Sequence, residues 1–171
     1  EYFYTPPHNI SSGLLTIEYD EFNHLTHVMR KKAGDALHVV DGIGNAFDVI
    51  LTDVAKRAAH CRIQSHHRML YEPTIDVTLA VGVLKNSSRF DFLVEKCTEL
   101  GVNAIVPLLT ERTIPHHART ERLQKLALAA MKQCGRCVLP KVHEATSFAH
   151  FIASVDASSL KIIPHEKVTA T

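Results

Sequence analysis

Two apolar runs with a helical pattern between them constrain the second half of this chain most tightly. Residues 75–84 (IDVTLAVGVL) are rich in β-branched side chains and almost wholly apolar toward their end, and residues 103–109 (NAIVPLL) form a second such run. Strands that read as continuous apolar runs are covered on both faces. Between them Phe90, Leu93, Val94, Cys97 and Leu100 recur at helical spacing. Gly101 stands where a helix-ending glycine belongs. Ser88-x-x-Asp91 resembles a capping box at the other end, with Asp in the place of the usual Glu or Gln. A strand–helix–strand unit returns its second strand parallel to the first, so an α/β domain around a parallel sheet is expected. A second helix is predicted over residues 120–133, striped by Leu123, Leu126, Ala127, Ala130, Met131 and Cys134. A short helical segment is predicted over residues 148–153, and a third strand at residues 160–164 (LKIIP).

The first seventy residues carry a different pattern. Residues 14–20 read as a short strand, and residues 20–31 have helical spacing with Phe22, Leu25, Val28 and Met29 on one face, stopped by Gly34. Residues 36–40 alternate, 41–45 (DGIGN) are a turn cluster, and 46–54 place Phe47, Val49 and Leu51 on one side, which predicts a hairpin. Residues 58–66 complete the set. Short strands with turn signals between them predict a small β-barrel. Residues 69–74 read as a linker, giving two domains, 1–70 and 74–171.

A length of 171 residues suits this division, and 46% apolar with 22% charged residues is ordinary for a globular chain. There is no apolar run long enough for a membrane helix and no secretory leader pattern at the start. Four unevenly spaced cysteines do not form a secreted disulfide framework, so a cytoplasmic setting is expected. The formal net charge of +1 argues against a non-specific polyanion binder. Twelve histidines add positive charge only below about pH 6.5.

Cys134-Gly135-Arg136-Cys137 poses a choice between a redox pair, half of a zinc site and ordinary packing. Redox thiols draw their reactivity from a helix N-terminus, whereas this motif follows the C-terminal end of the 120–133 helix. Zinc needs four ligands, and Cys61, Cys97, His143 and the pair His116-His117 supply no recognisable spacing. Packing is favoured, with Cys134 a small buried hydrophobe on the helix stripe and Cys137 in the loop beyond it. Gln133 and Arg136 are then the polar groups presented where the helix ends. Arg112 follows the 103–109 strand, in the kind of loop that carries sites in open α/β sheets. Its guanidinium suits an anion such as phosphate, or it pairs with Glu111 or Glu99 at the surface. Arg30, Lys31 and Lys32 end the N-terminal helix, where they complement the helix dipole or contact phosphate. His24 and His27 read as surface or packing residues rather than metal ligands.

Four stretches together resemble the RsmE family, ribosomal small-subunit RNA methyltransferases that make 3-methyluridine. His24-Leu25-Thr26-His27-Val28-Met29-Arg30 with Gly34-Asp35 and Asp41-Gly42 is similar to that family's H-L-x-x-V-L-R…G-D…D-G signature. Lys96-Cys97-Thr98-Glu99-Leu100-Gly101-Val102 resembles K-x-T-E-L-G-V. Ile105-Val106-Pro107 through Glu111-Arg112-Thr113 resembles I-x-P…E-R-[ST]. Ala130-Met131-Lys132-Gln133-Cys134-Gly135-Arg136 with Pro140 resembles A-x-x-Q-[SC]-x-R…P. The departures are Asn23 for a histidine, Met29 for leucine, and the absence of the family's G-P-E-G-G and later R-I-L-R-x-E-T-A-like segments.

The resemblance implies a PUA-like β-barrel that helps bind RNA, then a SPOUT-type α/β methyltransferase domain with a trefoil knot whose C-terminal part is missing from this chain. It implies S-adenosylmethionine as cofactor, a homodimer through the SPOUT domain, and methylation of N3 of a uridine (uridine 1498) of 16S rRNA in the small ribosomal subunit. Arg30, Lys32, Arg112, Gln133 and Arg136 are the expected RNA-binding residues, and His165 and Glu166 the edge of the cofactor pocket. No residue stands out as the general base. The rival readings are a non-catalytic RNA-binding module and a cytosolic thiol or zinc protein using Cys134 and Cys137.

Overall fold

The computed structural model describes residues 2–115 and 117–164. Its first part is a six-stranded sheet built from β1 (Tyr2–Tyr4), β2 (Ile10–Ser11), β3 (Leu14–Glu18), β4 (Ala36–Val40), β5 (Asn45–Val54) and β6 (Ala58–Arg68), in the order β1-β4-β5-β6-β3-β2. The pairings are antiparallel except β1 with β4. Alternation along each strand turns Phe3, Leu15, Ile17, Leu37, Val39, Val49, Leu51 and Cys61 inward, and the sheet curls around them. Its outer strands are tied by side chains. Buried Thr5 donates its amide to Val40 O, extending the β1–β4 pairing, and its hydroxyl to Thr16 O on β3. Asn9 Nδ2 donates to the Glu18 carboxylate.

The predicted N-terminal helix is present but changes pitch. α1 (Tyr19–Asn23) runs into a π-helical turn, His24–Val28. The wider turn keeps Phe22 and Leu25 in the core but rotates Val28 and Met29 into solvent, so the predicted four-residue face is only half right.

The second part is a short parallel sheet with helices packed on it. β7 (Thr78–Gly82), α2 (Ser87–Glu99) and β8 (Ala104–Leu109) form the expected parallel unit. α3 (Thr120–Cys134) packs on α2 through Leu123 and Ala127 against Phe90 and Val94. The third strand is not residues 160–164, which have no regular structure and expose Leu160, Ile162 and Ile163. Its place on β8 is taken by two short parallel pieces, β9 (Lys141–Val142) and β10 (Thr146–Ser147), the latter leading into α4 (Phe148–Ser154). The cap of α2 also differs from expectation. Asn86 accepts from the amides of Ser88 and Arg89, while Asp91 pairs with Arg122 of α3.

The two parts meet along a shared core in which Val40 and Ala46 of the curled sheet pack with Met131 and Cys137, flanked by Tyr2, Tyr4 and Leu139. Asp41 organises the turn beneath it, accepting from the amides of Ile43 and Asn45. Gly135 adopts the left-handed conformation that ends α3, and a side chain there would stand 3.0 Å from the Tyr2 ring. The segment read as a linker is anchored. Glu72 accepts from Arg136 Nε and Nη2 and from the amides of Cys137 and Val138. Arg136 Nη1 donates to Thr98 O and Val102 O at the end of α2. With side-chain exposures of 3% and 1%, the pair has no recourse to water if one partner is lost. Glu72→Ala is therefore expected to cost about 3–5 kcal/mol in a urea unfolding experiment, and a loss below about 1 kcal/mol would contradict the assignment.

Candidate active site at the strand ends

In a parallel sheet the loops leaving the C-terminal strand ends carry function, and here three such ends lie side by side. The pairing Ser147↔Leu109 ends β10 and β8 at the same level. Thr110 and Phe148 therefore leave the sheet as neighbours, and a shallow open cleft is lined by Leu109, Thr110, Glu111, Arg112, Phe148 and Ala149. The loop after β8 is a fixed turn. Thr113 donates its amide and its hydroxyl to Thr110 O and accepts from the Thr110 amide, at 3.0, 2.8 and 2.9 Å. Glu111 and Arg112 occupy the two central positions of that turn, both exposed. At the end of β7, Gly82 meets Thr113.

Each expected site residue now has a place. Arg112 projects from the turn and makes no ion pair with Glu111 or with Glu99, which instead binds Lys96. Gln133 is exposed in the last turn of α3. Arg30, in the left-handed region with φ 52°, and Lys32, whose amide donates to Asp35, are exposed on the curled sheet's side. Arg136 is the departure. Its guanidinium is buried on Glu72 and two backbone carbonyls, so it anchors the connecting segment to the α/β part and presents no surface to RNA. His165 and Glu166 lie outside the described residues. Sequence reasoning passed over Glu111 except as a surface partner for Arg112, and gave Phe148 no role. The signal for Glu111 was the turn-forming spacing Thr110–Thr113, whereas Phe148 is brought to the cleft only by strand register.

The cysteines are reversed from expectation. Cys134 is exposed and Cys137 buried, because the left-handed Gly135 turns the chain back onto the sheet. Burial pushes the Cys137 thiol up to about 11, aided by the Glu72 carboxylate, and burial alone pushes Cys61 up to about 12. Among the described residues no group of His, Cys, Asp and Glu side chains is arranged to hold a metal ion. None of the described helices is long and apolar enough to cross a membrane.

Comparison with known proteins agrees with this architecture. The RNA methyltransferase domain model matches residues 71–171, and the RNA methyltransferase PUA domain model matches residues 17–64. The chain therefore belongs to the RNA methyltransferase family, with a curled β domain of the PUA class before the α/β domain. Within it the similarity is to RsmE. The ribosomal RNA small subunit methyltransferase E of Synechocystis is 33% identical over 151 residues, 87% of this chain and 49% of that protein. Its counterpart in Buchnera aphidicola is 28% identical over 160 residues, 89% of this chain and 62% of that protein. The crystal structure of the Neisseria gonorrhoeae enzyme of that name, bound to S-adenosyl methionine, superposes with a TM-score of 0.80 at 28% identity, covering 91% of this chain and 65% of that one. The chain thus spans about half to two-thirds of the length of these relatives.

Two experiments test this description. At pH 8 a thiol reagent should label Cys134 rapidly, and Cys61 and Cys137 only when the protein unfolds; equal labelling of Cys137 in the native state would refute its burial. On the curled sheet, a hydrogen bond from Ser65, followed by His67 and His38, holds the Asp48 carboxyl below the usual range. A depressed carboxyl contributes stability above its unfolded value of about 3.9 and loses it as pH falls through the folded value. Ser65→Ala should therefore lower stability at pH 7 by no more than about 1 kcal/mol, the pair being partly exposed. The difference should fade toward pH 2 in thermal melts.

Proposed function

We propose that the protein to which this chain belongs is an S-adenosylmethionine-dependent methyltransferase that modifies N3 of a uridine in 16S rRNA of the small ribosomal subunit, uridine 1498 by the RsmE resemblance. The observation that carries the reading is the turn of Glu111 and Arg112 at the C-terminal ends of a parallel sheet, in a chain of the RNA methyltransferase family. The cytoplasm and a homodimer through the α/β domain belong to the same proposal.

The strand ends fit the cofactor on one side. Gly82 carries no side chain beside Thr113, and Leu109 and Ala149 offer apolar surface. These residues would hold one edge of S-adenosylmethionine, with His165 and Glu166 proposed further along. When bound, the cofactor supplies an electrophilic methyl group. The chain's own part is to bind and orient the RNA. Arg112 is placed for a phosphate or for a uracil oxygen, where a guanidinium stabilises charge developing on the base. Gln133 can donate to and accept from a base edge, and Arg30 and Lys32 add phosphate contacts on the β domain. The target base must leave its stack for N3 to be reached.

The test uses the complete gene product, labelled S-adenosylmethionine and small subunits from a strain lacking the modification, read by nucleoside mass spectrometry. A 3-methyluridine product is expected. Folded protein and intact subunits with no methyl incorporation would reject the enzymatic reading, and RNA binding without transfer would favour a binding module. Arg30→Ala and Lys32→Ala should each flatten the salt dependence of RNA binding by a log–log slope of about 0.7–0.9.

A further inference from the structure

The methyltransferase reading leaves unassigned the group that removes the imide proton and the surface that holds the base. We infer that Glu111, Arg112 and Phe148 form one uracil subsite, in which Phe148 is the stacking face, Arg112 binds a ring oxygen and Glu111 accepts the N3 proton. The inference rests on that reading and deepens it.

Three observations converge. Phe148 is 47% exposed although it opens an ordered helix whose cap is in place, Ser147 Oγ accepting from the His150 amide. Its neighbour across the strand ends is the turn clamped by Thr113, which aims two adjacent and opposite charges outward. Among the described residues Glu111 and Arg112 form no hydrogen bond or ion pair, so neither charge is committed to the fold. Some charges on α2 and α3 are engaged, Arg122 with Asp91 and Lys96 with Glu99, but what distinguishes Glu111 and Arg112 is that both line the cleft that Phe148 also lines. Phe92, also exposed, lies against Lys96, which is itself paired with Glu99.

Uracil suits the set. Its N3–H stands between two carbonyl oxygens, so removing the proton spreads negative charge onto them. A guanidinium beside one oxygen stabilises that charge, and a carboxylate beside N3 takes the proton. An aromatic face holds a flipped base without regard to its edge, leaving discrimination to the two charged groups. In the step, the N3 proton passes to a Glu111 carboxylate oxygen. The electron pair left on N3 forms the bond to the methyl carbon while the carbon–sulfur bond breaks with its pair going to sulfur. Glu111 then releases its proton to water. Thr113 is a positioning residue, acting only through the turn it closes.

The experiment uses the complete gene product with unmodified small subunits. Without methyl donor, Phe148→Ala should bind subunits about tenfold or more weakly and Phe148→Trp should restore binding, since stacking tolerates any aromatic ring. Glu111→Gln should bind within about twofold of wild type yet transfer methyl about 10²–10⁴-fold more slowly in single turnover. Its residual rate should climb about tenfold per pH unit, because hydroxide then has to remove the imide proton. Wild-type rate and pH dependence in Glu111→Gln, or undiminished binding in Phe148→Ala, would overturn the subsite while leaving the methyltransferase reading intact. A wild-type protein that transfers no methyl to the subunits would remove that reading, and the subsite with it.

Discussion

Glu72 and Arg136 fix the segment that connects the two parts of this protein onto its α/β part. One carboxylate takes four hydrogen bonds, two from the guanidinium and two from the backbone beyond α3, while the same guanidinium reaches the end of α2. A buried pair is stable only when its remaining lone pairs and protons are satisfied, and these are. The half-buried pair of Lys132 with Glu21, whose other oxygen accepts from the Tyr4 amide, then ties α3 to the first part across the seam. Val40 and Ala46 pack with Met131 and Cys137 along the same seam.

Much of the motif pattern that points to the family turns out to build this seam rather than a site. Arg136 is buried in it. Gly101, with φ 97°, sits so close to Pro73 that a side chain would collide at 2.8 Å. Thr98 contributes a carbonyl to Arg136 and is itself buried. Asp41 and Gly42 shape the turn that packs on Leu139. The stretch Glu111-Arg112-Thr113 divides differently: the threonine closes a turn, and the two charged residues are its free tip. A motif residue can thus be kept for architecture or for chemistry, and burial separates the two.

The α/β core was legible because long periodic segments declare themselves: α2, α3, β7 and β8 fall close to where the pattern placed them. What escaped was set by geometry that spacing does not record. The π-turn after Asn23 adds part of a residue to one turn and so turns Val28 and Met29 outward. The helical stripe of α3 extrapolates to Cys134, but the helix is ending there, and Gly135 redirects the chain so that Cys137 is covered instead. Strands of two residues, such as β9 and β10, have no period to detect. Residues 160–164 have the composition of a strand without a partner among the described residues. The loop position of Arg112 was legible, and the structure puts that loop on the cleft. Phe148 was not, since its nearness to Arg112 is a property of the Ser147↔Leu109 register.

The tie between Glu72 and Arg136 closes across 64 residues of chain. A ribosome adding about 5–20 residues each second makes those residues in about 3–13 s. Over that interval the curled sheet, whose core draws on residues 3 to 61, can already be assembled, while Glu72 is a solvated carboxylate and Val40 and Ala46 remain uncovered. The seam therefore cannot close before α3 and its following loop have been made, and until then the nascent β domain carries an apolar patch at Val40 and Ala46.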